Sequence, residues 1–363
     1  MVSARLRSLV RCPECHGTMA AVADDARALA CDNCRRRYLH AGEFLDLRPE
    51  VQFSEQTRYL DEALHADARH ERVSPPLLGS RIRNDMLRAF LGPRADDIVA
   101  DLGCGSGRAL LWNSDWNATT VGVDIAPFFS ADARQSVDLL LADLRKLPFA
   151  DGTFTKAYSL DVLEHLSPES LREMLAEASR VLQPGGRLFV YTHVRKNARI
   201  AIGLRWVNAL AHALERAGLI DLRQERLRKS DHINPLRDIP ELEAVADAAG
   251  FRVARIRYYT PILGGLVENV LMRVAERAMA RRASGRLRAA GKSEEEAELT
   301  AVRDARRAAK SRIASSRGTY LTLLALSYAM KLDLLLFGRV RSGPFFALLE
   351  KKREELPKMP KVP

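Results

Sequence analysis

Two sets of residues in this 363-residue chain have types and spacing that could do chemistry. Cys12-Pro-Glu-Cys15 and Cys31-Asp-Asn-Cys34 form C-x2-C-x15-C-x2-C, the spacing of a four-thiolate zinc site in which each sulfur pair comes from one tight turn. Four sulfurs leave no open coordination position, so the expected Zn2+ is structural. It would hold together a segment with too few large apolar side chains to fold alone. His16 is an alternative ligand, its blander reading being an exposed turn histidine. The second set is Asp101-Leu-Gly103-Cys104-Gly105-Ser-Gly107, at the end of an apolar run over 97–102. Glycine there lets the backbone turn sharply and approach a ligand closely, and the helix after it offers free N–H groups.

The surrounding elements set the context for that turn. Helical patterns over 54–71 and 81–91 flank a Ser74-Pro75-Pro76 break. Beyond them, short apolar strands alternate with helices, which predicts a parallel α/β sheet. A dinucleotide G-x-G-x-x-G fingerprint would require glycine at position 108, where the chain has Arg108.

The D-x-G-x-G-x-G pattern resembles motif I of class I methyltransferases that use S-adenosylmethionine (SAM). The segments at 121–126, 139–144, 147–154, 157–166 and 182–190 come in the order of that family, and the likeness extends over 97–191. Within it, the chain is similar to the group that includes ubiquinone and menaquinone biosynthesis enzymes. The resemblance implies an α/β fold: a Rossmann-like, seven-stranded sheet with a small N-terminal zinc ribbon and a helical insertion between its last two strands. It also implies a SAM site. Asp101 would lie near the methionine amino group, with Gly103, Gly105 and Gly107 facing the nucleoside and Cys104 as filler. Asp124 and Ile125 would meet the ribose hydroxyls, Asp143 and Leu144 the adenine, and Ser159 would stand in the fourth strand beside the cofactor. The segment 10–49 resembles zinc ribbons that precede methyltransferase domains, some of which act on ribosomal RNA. One departure is Thr155-Lys156, where relatives usually carry an acidic residue; that position faces away from the methyl group.

Methyl transfer from a sulfonium is an in-line displacement that chiefly requires placing the acceptor about 3 Å from the methyl carbon. A general base helps when the acceptor is a hydroxyl or an activated carbon. In open α/β sheets the candidates sit at the carboxyl ends of the strands: Asp161 and His165 after the fourth strand, His193 after the fifth, and His232 before a helix at 238–249. Against each stands an ordinary structural role. The fourth strand lacks the Asn-Pro-Pro-aromatic tetrapeptide common in base N-methylating enzymes and has Ser159-Leu-Asp-Val162 instead.

Composition narrows the class. With 47% hydrophobic and 28% charged residues, the chain is neither disordered, collagen-like nor a polytopic membrane protein. An aromatic content of 6% argues against base-stacking recognition. The net charge is +11, and residues 261–363 hold nearly the whole excess, with 21 Lys+Arg against 11 Asp+Glu. The first 15 residues lack the apolar core of a secretory signal, and cysteine pairs suited to metal point to a reducing compartment. The expectation is a cytoplasmic protein, peripheral at most at the inner membrane face.

The expected domains are a ribbon at 1–50, a helical lead-in at 51–96, the SAM-binding domain at 97–260, the insertion at 261–342, and a last strand with a basic tail at 343–363. In the insertion, Leu266, Val267, Val270, Leu271, Val274, Ala275, Ala278 and Met279 fall on one helical face, opposite Arg273, Glu276, Arg277 and Arg281. A solvated helix is expected over 283–317. The uncharged run 318–330 spans about 20 Å, short of a bilayer core of about 30 Å. These elements fit contact with an anionic membrane or a lipophilic substrate, packing within the chain or across a homodimer, and, with less support, RNA. The expected function is transfer of a methyl group from SAM to an oxygen or carbon of a lipophilic or membrane-associated small molecule such as a quinone precursor, polyketide or lipid head group. The alternatives are a methyltransferase of RNA or a ribosomal component, and a non-catalytic SAM-binding scaffold.

Overall fold

A computed structural model describes residues 2–22, 25–39, 43–48, 73–194, 202–222, 232–233, 236–259, 262–275, 277–278, 316–341 and 343–353. The helix expected over 54–71 and nearly all of the one over 283–317 lie outside them.

Alternating apolar runs form the sheet. Strands β5 (Ile98–Leu102), β6 (Thr119–Asp124), β7 (Asp138–Leu141), β8 (Phe154–Leu160) and β9 (Leu182–His193) are parallel to their neighbours, while β10 (Phe251–Tyr258) and β11 (Pro344–Lys351) form the antiparallel end. With Leu45–Asp46 as β4, the order is β10-β11-β9-β8-β5-β6-β7-β4, so the last strand pairs with β10 and also inserts between it and β9. β9 takes in the Gln183-Pro-Gly-Gly186 segment, with a register shift against β8.

The sheet has eight strands, one more than the seven expected. The extra edge strand, β4 (Leu45–Asp46), runs parallel to β7 and comes from the cysteine-bearing segment. That segment folds as α1 (Ala4–Leu9) and a three-stranded antiparallel sheet, β1 (Met19–Val22), β2 (Asp25–Cys31) and β3 (Arg37–Leu39). It is built into the larger domain. Leu6, Val10, Leu29, Leu45 and Leu47 belong to the same apolar cluster as Val121, Phe149 and Ala157. Arg11 N–H donates to Pro148 O (2.8 Å), and Lys146 pairs with Glu14 (2.8 Å).

Helix α2 (Gly79–Leu91) covers one sheet face through Ile82, Leu87 and Phe90, the last edge-on to Phe189. Next come α3 (Arg108–Trp112), α4 (Ala131–Ser136), α5 (Pro168–Val181), α6 (Ile202–Arg216) and α7 (Ile239–Ala248). Asp238 caps α7 through Glu241 N–H. At the N-terminal edge of the sheet, Thr155 and Lys156 both bind Asp97, which gives the departure from the family pattern a structural role remote from the strands' carboxyl ends.

The insertion corrects two expectations. Helix α8 (Leu263–Leu266) runs into a π turn over Val267–Leu271. The wider turn holds an extra residue and rotates the residues beyond it by about 100°. Val267 and Val270 are buried as expected, but Leu271, Val274, Ala275 and Ala278 face outward, and Arg273 and Arg277 turn partly inward. Arg277 there approaches Asp221 at 3.9 Å. Met279, Arg281 and the Glu276 side chain lie outside the described residues.

The apolar run does not stop at Met330 either: α9 continues over Arg317–Phe337. Its interrupting charges are taken up by protein contacts. Asp333 is fully buried and accepts hydrogen bonds from the N–H groups of Ile262 (3.3 Å) and Gly264 (3.2 Å), while Lys331 reaches Asp85 (2.9 Å). Among the described residues α9 is the one helix long and apolar enough to cross a membrane, and its inner face packs on α2 and α8.

Candidate functional site

The carboxyl ends of β5, β6 and β8, with α2 above them, enclose a cavity of about 380 Å3. Its cofactor half is lined by Asp101, Gly103, Cys104, Gly105, Asp124, Ile125, Asp143 and Leu144, as the motif resemblance implies. Gly103 has φ +83, and a Cβ there would sit 2.3 Å from Val162 Cγ2, so the turn requires glycine. Asp124 holds the turn itself, accepting from Gly105 N–H (2.7 Å) and Ala126 N–H (2.9 Å). Asp101 Oδ2 is buried with no hydrogen-bond partner. Burial, opposed by the nearby Tyr158 hydroxyl and reinforced by the charge of Asp124, pushes the Asp101 carboxyl well above the usual range. A buried acceptor without a donor, at the position that would face the methionine ammonium, fits SAM.

Two sequence assignments change. Ser159 is fully buried and donates to Leu102 O (2.7 Å), stitching β8 to β5 without lining the cavity. Gly107 also lies off the cavity wall; its φ of +79 forms the entry to α3, packed on Ala133. Asp143 lines the wall, but its carboxylate is already gripped by Arg145, with Nη2 at 2.7 Å from Oδ2. Cys104 is a packing residue, clustered with Leu110, Phe129 and Leu139 while touching the cavity.

The acceptor half is formed by Leu160, Val162 and Leu166 with Asp161 and His165 between them, and by Ser80, Arg83 and Asn84 of α2. Asp161 adopts φ +56, a left-handed conformation that Asp tolerates better than most residues, and Arg83 Nε lies 3.8 Å from its carboxylate. His193 and His232 stand just behind the wall. The His232 ring meets His165 edge-on, centroids 4.6 Å apart.

His193 Nδ1 lies 3.1 Å from Glu164, which also accepts from the Thr192 hydroxyl (2.9 Å). Burial opposes ionisation of Glu164, but the hydrogen bond and charge of His193, with His165 nearby, outweigh it and hold its carboxyl at about 2. Sequence reasoning missed Glu164, Arg83 and Arg145. A glutamate one residue before a nominated histidine was the only signal available, and nothing local marked the α2 residues. Donor atoms of Glu164, His165 and His232 lie within 4.8 Å of one another, as do those of Asp161, Glu164 and His193. Such a cluster suits a proton relay or a divalent cation.

The four cysteines converge at the ribbon tip. Cys12 and Cys34 sulfurs are 3.6 Å apart and Cys15 and Cys31 sulfurs 3.4 Å, with all four within 4.8 Å of one another. Zinc–sulfur bonds of about 2.3 Å in a tetrahedron place sulfurs about 3.8 Å apart, so the set fits Zn2+. Backbone N–H groups of Asn33 and Cys34 point at the Cys31 sulfur. His16 is exposed and outside the cluster.

Residues 100–190 match the family described as "Methyltransferase domain". The chain is 34% identical over 106 residues to sterol 4-C-methyltransferase strm-1 of Caenorhabditis elegans, covering 27% of this chain and 31% of that protein. It is 32% identical over 136 residues to probable tRNA methyltransferase 9B of Mus musculus, covering 35% and 30%. The chain thus spans about a third of the length of these curated relatives. A solved Haemonchus contortus phosphoethanolamine N-methyltransferase 2 with S-adenosyl-L-methionine is similar at TM-score 0.46 and 15% identity, over 84% of this chain and 61% of that one.

Proposed function

Because the chain carries a class I SAM-dependent methyltransferase domain, we propose that it methylates an oxygen or carbon of a lipophilic or membrane-associated small molecule. The observation that carries this reading is one cavity whose cofactor half continues into a wall of Leu160, Val162 and Leu166 bearing Asp161 and His165. SAM held there would supply an electrophilic sulfonium methyl, which the acceptor's lone pair would take in line as the C–S bond breaks and S-adenosylhomocysteine leaves. The apolar wall orients the acceptor and excludes water, and His165 takes the proton that the acceptor loses. Glu164 and His193, 3.1 Å apart, back this wall as a hydrogen-bonded pair. The ribbon cysteines hold a structural Zn2+, and the protein works on the cytoplasmic side.

The likeness to a probable tRNA methyltransferase supports RNA as a second reading, as the sterol enzyme supports the first. Methyl-labelled SAM incubated with an extract of cells lacking the protein separates them. Label is expected in the organic-soluble fraction and is lost in His165→Ala, which still binds S-adenosylhomocysteine. Label in RNA overturns the lipophilic acceptor, and no label in any fraction leaves a non-catalytic scaffold.

A further inference from the structure

We infer that the outer face of α9, with the arginines at its C-terminal end, is a docking face for an anionic lipid bilayer, the helix lying in the plane of the head groups. Leu321, Ala325, Tyr328, Leu332, Leu335 and Leu336 recur at three- and four-residue spacing and are all exposed, Leu335 at 76% and Leu336 at 65%. The stripe extends over most of a helix of 21 residues, about 31 Å long. A contiguous apolar face of that length on a protein surface marks an interaction site. The adjoining elements add exposed Trp206, Leu210, Leu271 and Val274.

Charge selects the occupant. Tyr258 N–H donates to Gly338 O (2.8 Å), which sets Arg339 beside Arg257 and Arg341 beside Tyr258 at the end of β10, whose Arg255 adds to the same positive cluster. Among the described residues no carboxylate lies within ion-pair distance of these four guanidinium groups, whereas Arg252, on the same strand, pairs with Glu350. Burial and the like charges of Arg255 and Arg339 depress the Arg257 guanidinium, so positive charge is crowded at this end of the face. Anionic head groups would neutralise it while the acyl region takes the leucines, and the two contributions add. A second copy of the chain related by two-fold symmetry presents the same face, which carries no carboxylate among the described residues, so it would cover the leucines without neutralising the arginines. RNA would neutralise the arginines but strand the leucines.

The helix lies on the bilayer and does not span it. Its inner face is fixed by the buried Asp333 bonds to Ile262 and Gly264 and by Ser327, which accepts from Leu78 N–H (2.7 Å). The same contacts link the docking face to the site. Leu78 and Asp85 hold α9 at one side of α2, while Ser80, Arg83 and Asn84 of α2 line the cavity.

The test is flotation of the full chain with phosphatidylcholine vesicles, with and without phosphatidylglycerol, alongside sedimentation without vesicles and SAM affinity. The inference expects flotation with the anionic vesicles only. Leu332→Glu with Leu336→Glu abolishes it, and Arg339→Ala with Arg341→Ala weakens it about 25-fold at low salt, at about fivefold per basic residue. SAM affinity stays unchanged in both variants, showing that they fold. Failure of the wild type to float, flotation unaffected by the glutamates, or a dimer in solution that the glutamates dissociate each overturns it. Flotation reads no turnover, so it stands or falls separately from the proposed acceptor.

Discussion

Gly103→Ala is the sharpest test of the cofactor turn. Gly103 has φ +83, and the added methyl would lie 2.3 Å from Val162 Cγ2, 3.2 Å from Cγ1 and 3.3 Å from Cβ. Ordinary contact begins near 3.4 Å, so turn and valine must separate by roughly 1 Å. The left-handed backbone adds about 1–2 kcal/mol for any residue with a Cβ. Both costs fall on the segment that must approach the ligand most closely, and the conformational cost alone corresponds to about tenfold in affinity. Calorimetric titration with SAM is expected to show at least that loss, with little change in zinc content. Gly103→Ala/Val162→Ala should recover the steric part and keep the conformational part. Wild-type affinity in Gly103→Ala would refute the placement of the cofactor against this turn.

Burial holds Asp101 neutral in the free protein at pH values where an ordinary carboxyl is ionised. Pairing with the methionine ammonium favours the carboxylate, so SAM binding should release a proton and weaken as pH falls; titration in buffers of different ionisation enthalpy would show otherwise if no proton is exchanged. Lys156→Met leaves Asp97 with Thr155 and Arg94 N–H but without its cation, and should cost about 2–3 kcal/mol in urea unfolding with SAM affinity intact. Loss of SAM binding instead would place the pair at the site. Removing zinc, or Cys31→Ser, should lower thermal stability of the whole chain by several degrees, because Leu29, Leu45 and Leu47 belong to the main core. A metal-free chain with unchanged melting and SAM affinity would show that the ribbon is energetically separate.

What could be read from the chain was what local backbone demands encode. The turns around Cys12 and Cys31 and the glycines at 103 and 105 are needed wherever the surrounding chain goes, and both sets appear where the spacing predicts. The parallel α/β sheet came from resemblance and from short apolar runs alternating with helices. The acceptor wall was harder to read because its members come from distant segments. Arg83 lies on α2, Asp161 and His165 come after β8, and His193 and Glu164 meet across 29 positions in sequence. Glu164 looked like one surface charge among many until Thr192 and His193 enclosed it.

The insertion shows why composition misleads in a particular direction. Lys331 and Asp333 interrupt the apolar sequence just beyond the uncharged run 318–330, and a charge in an isolated helix prefers water. In the fold each has a protein partner, Asp85 for the lysine and two backbone N–H groups of the α8 start for the aspartate. A buried carboxylate bonded in this way marks the side of the helix that faces protein. The opposite side is therefore the one left for a different solvent, and it is there that leucines gather beside arginines with no carboxylate among the described residues to pair them. The same two charges that interrupt the apolar sequence orient the helix in the structure, and that orientation separates a helix lying on a bilayer from one crossing it.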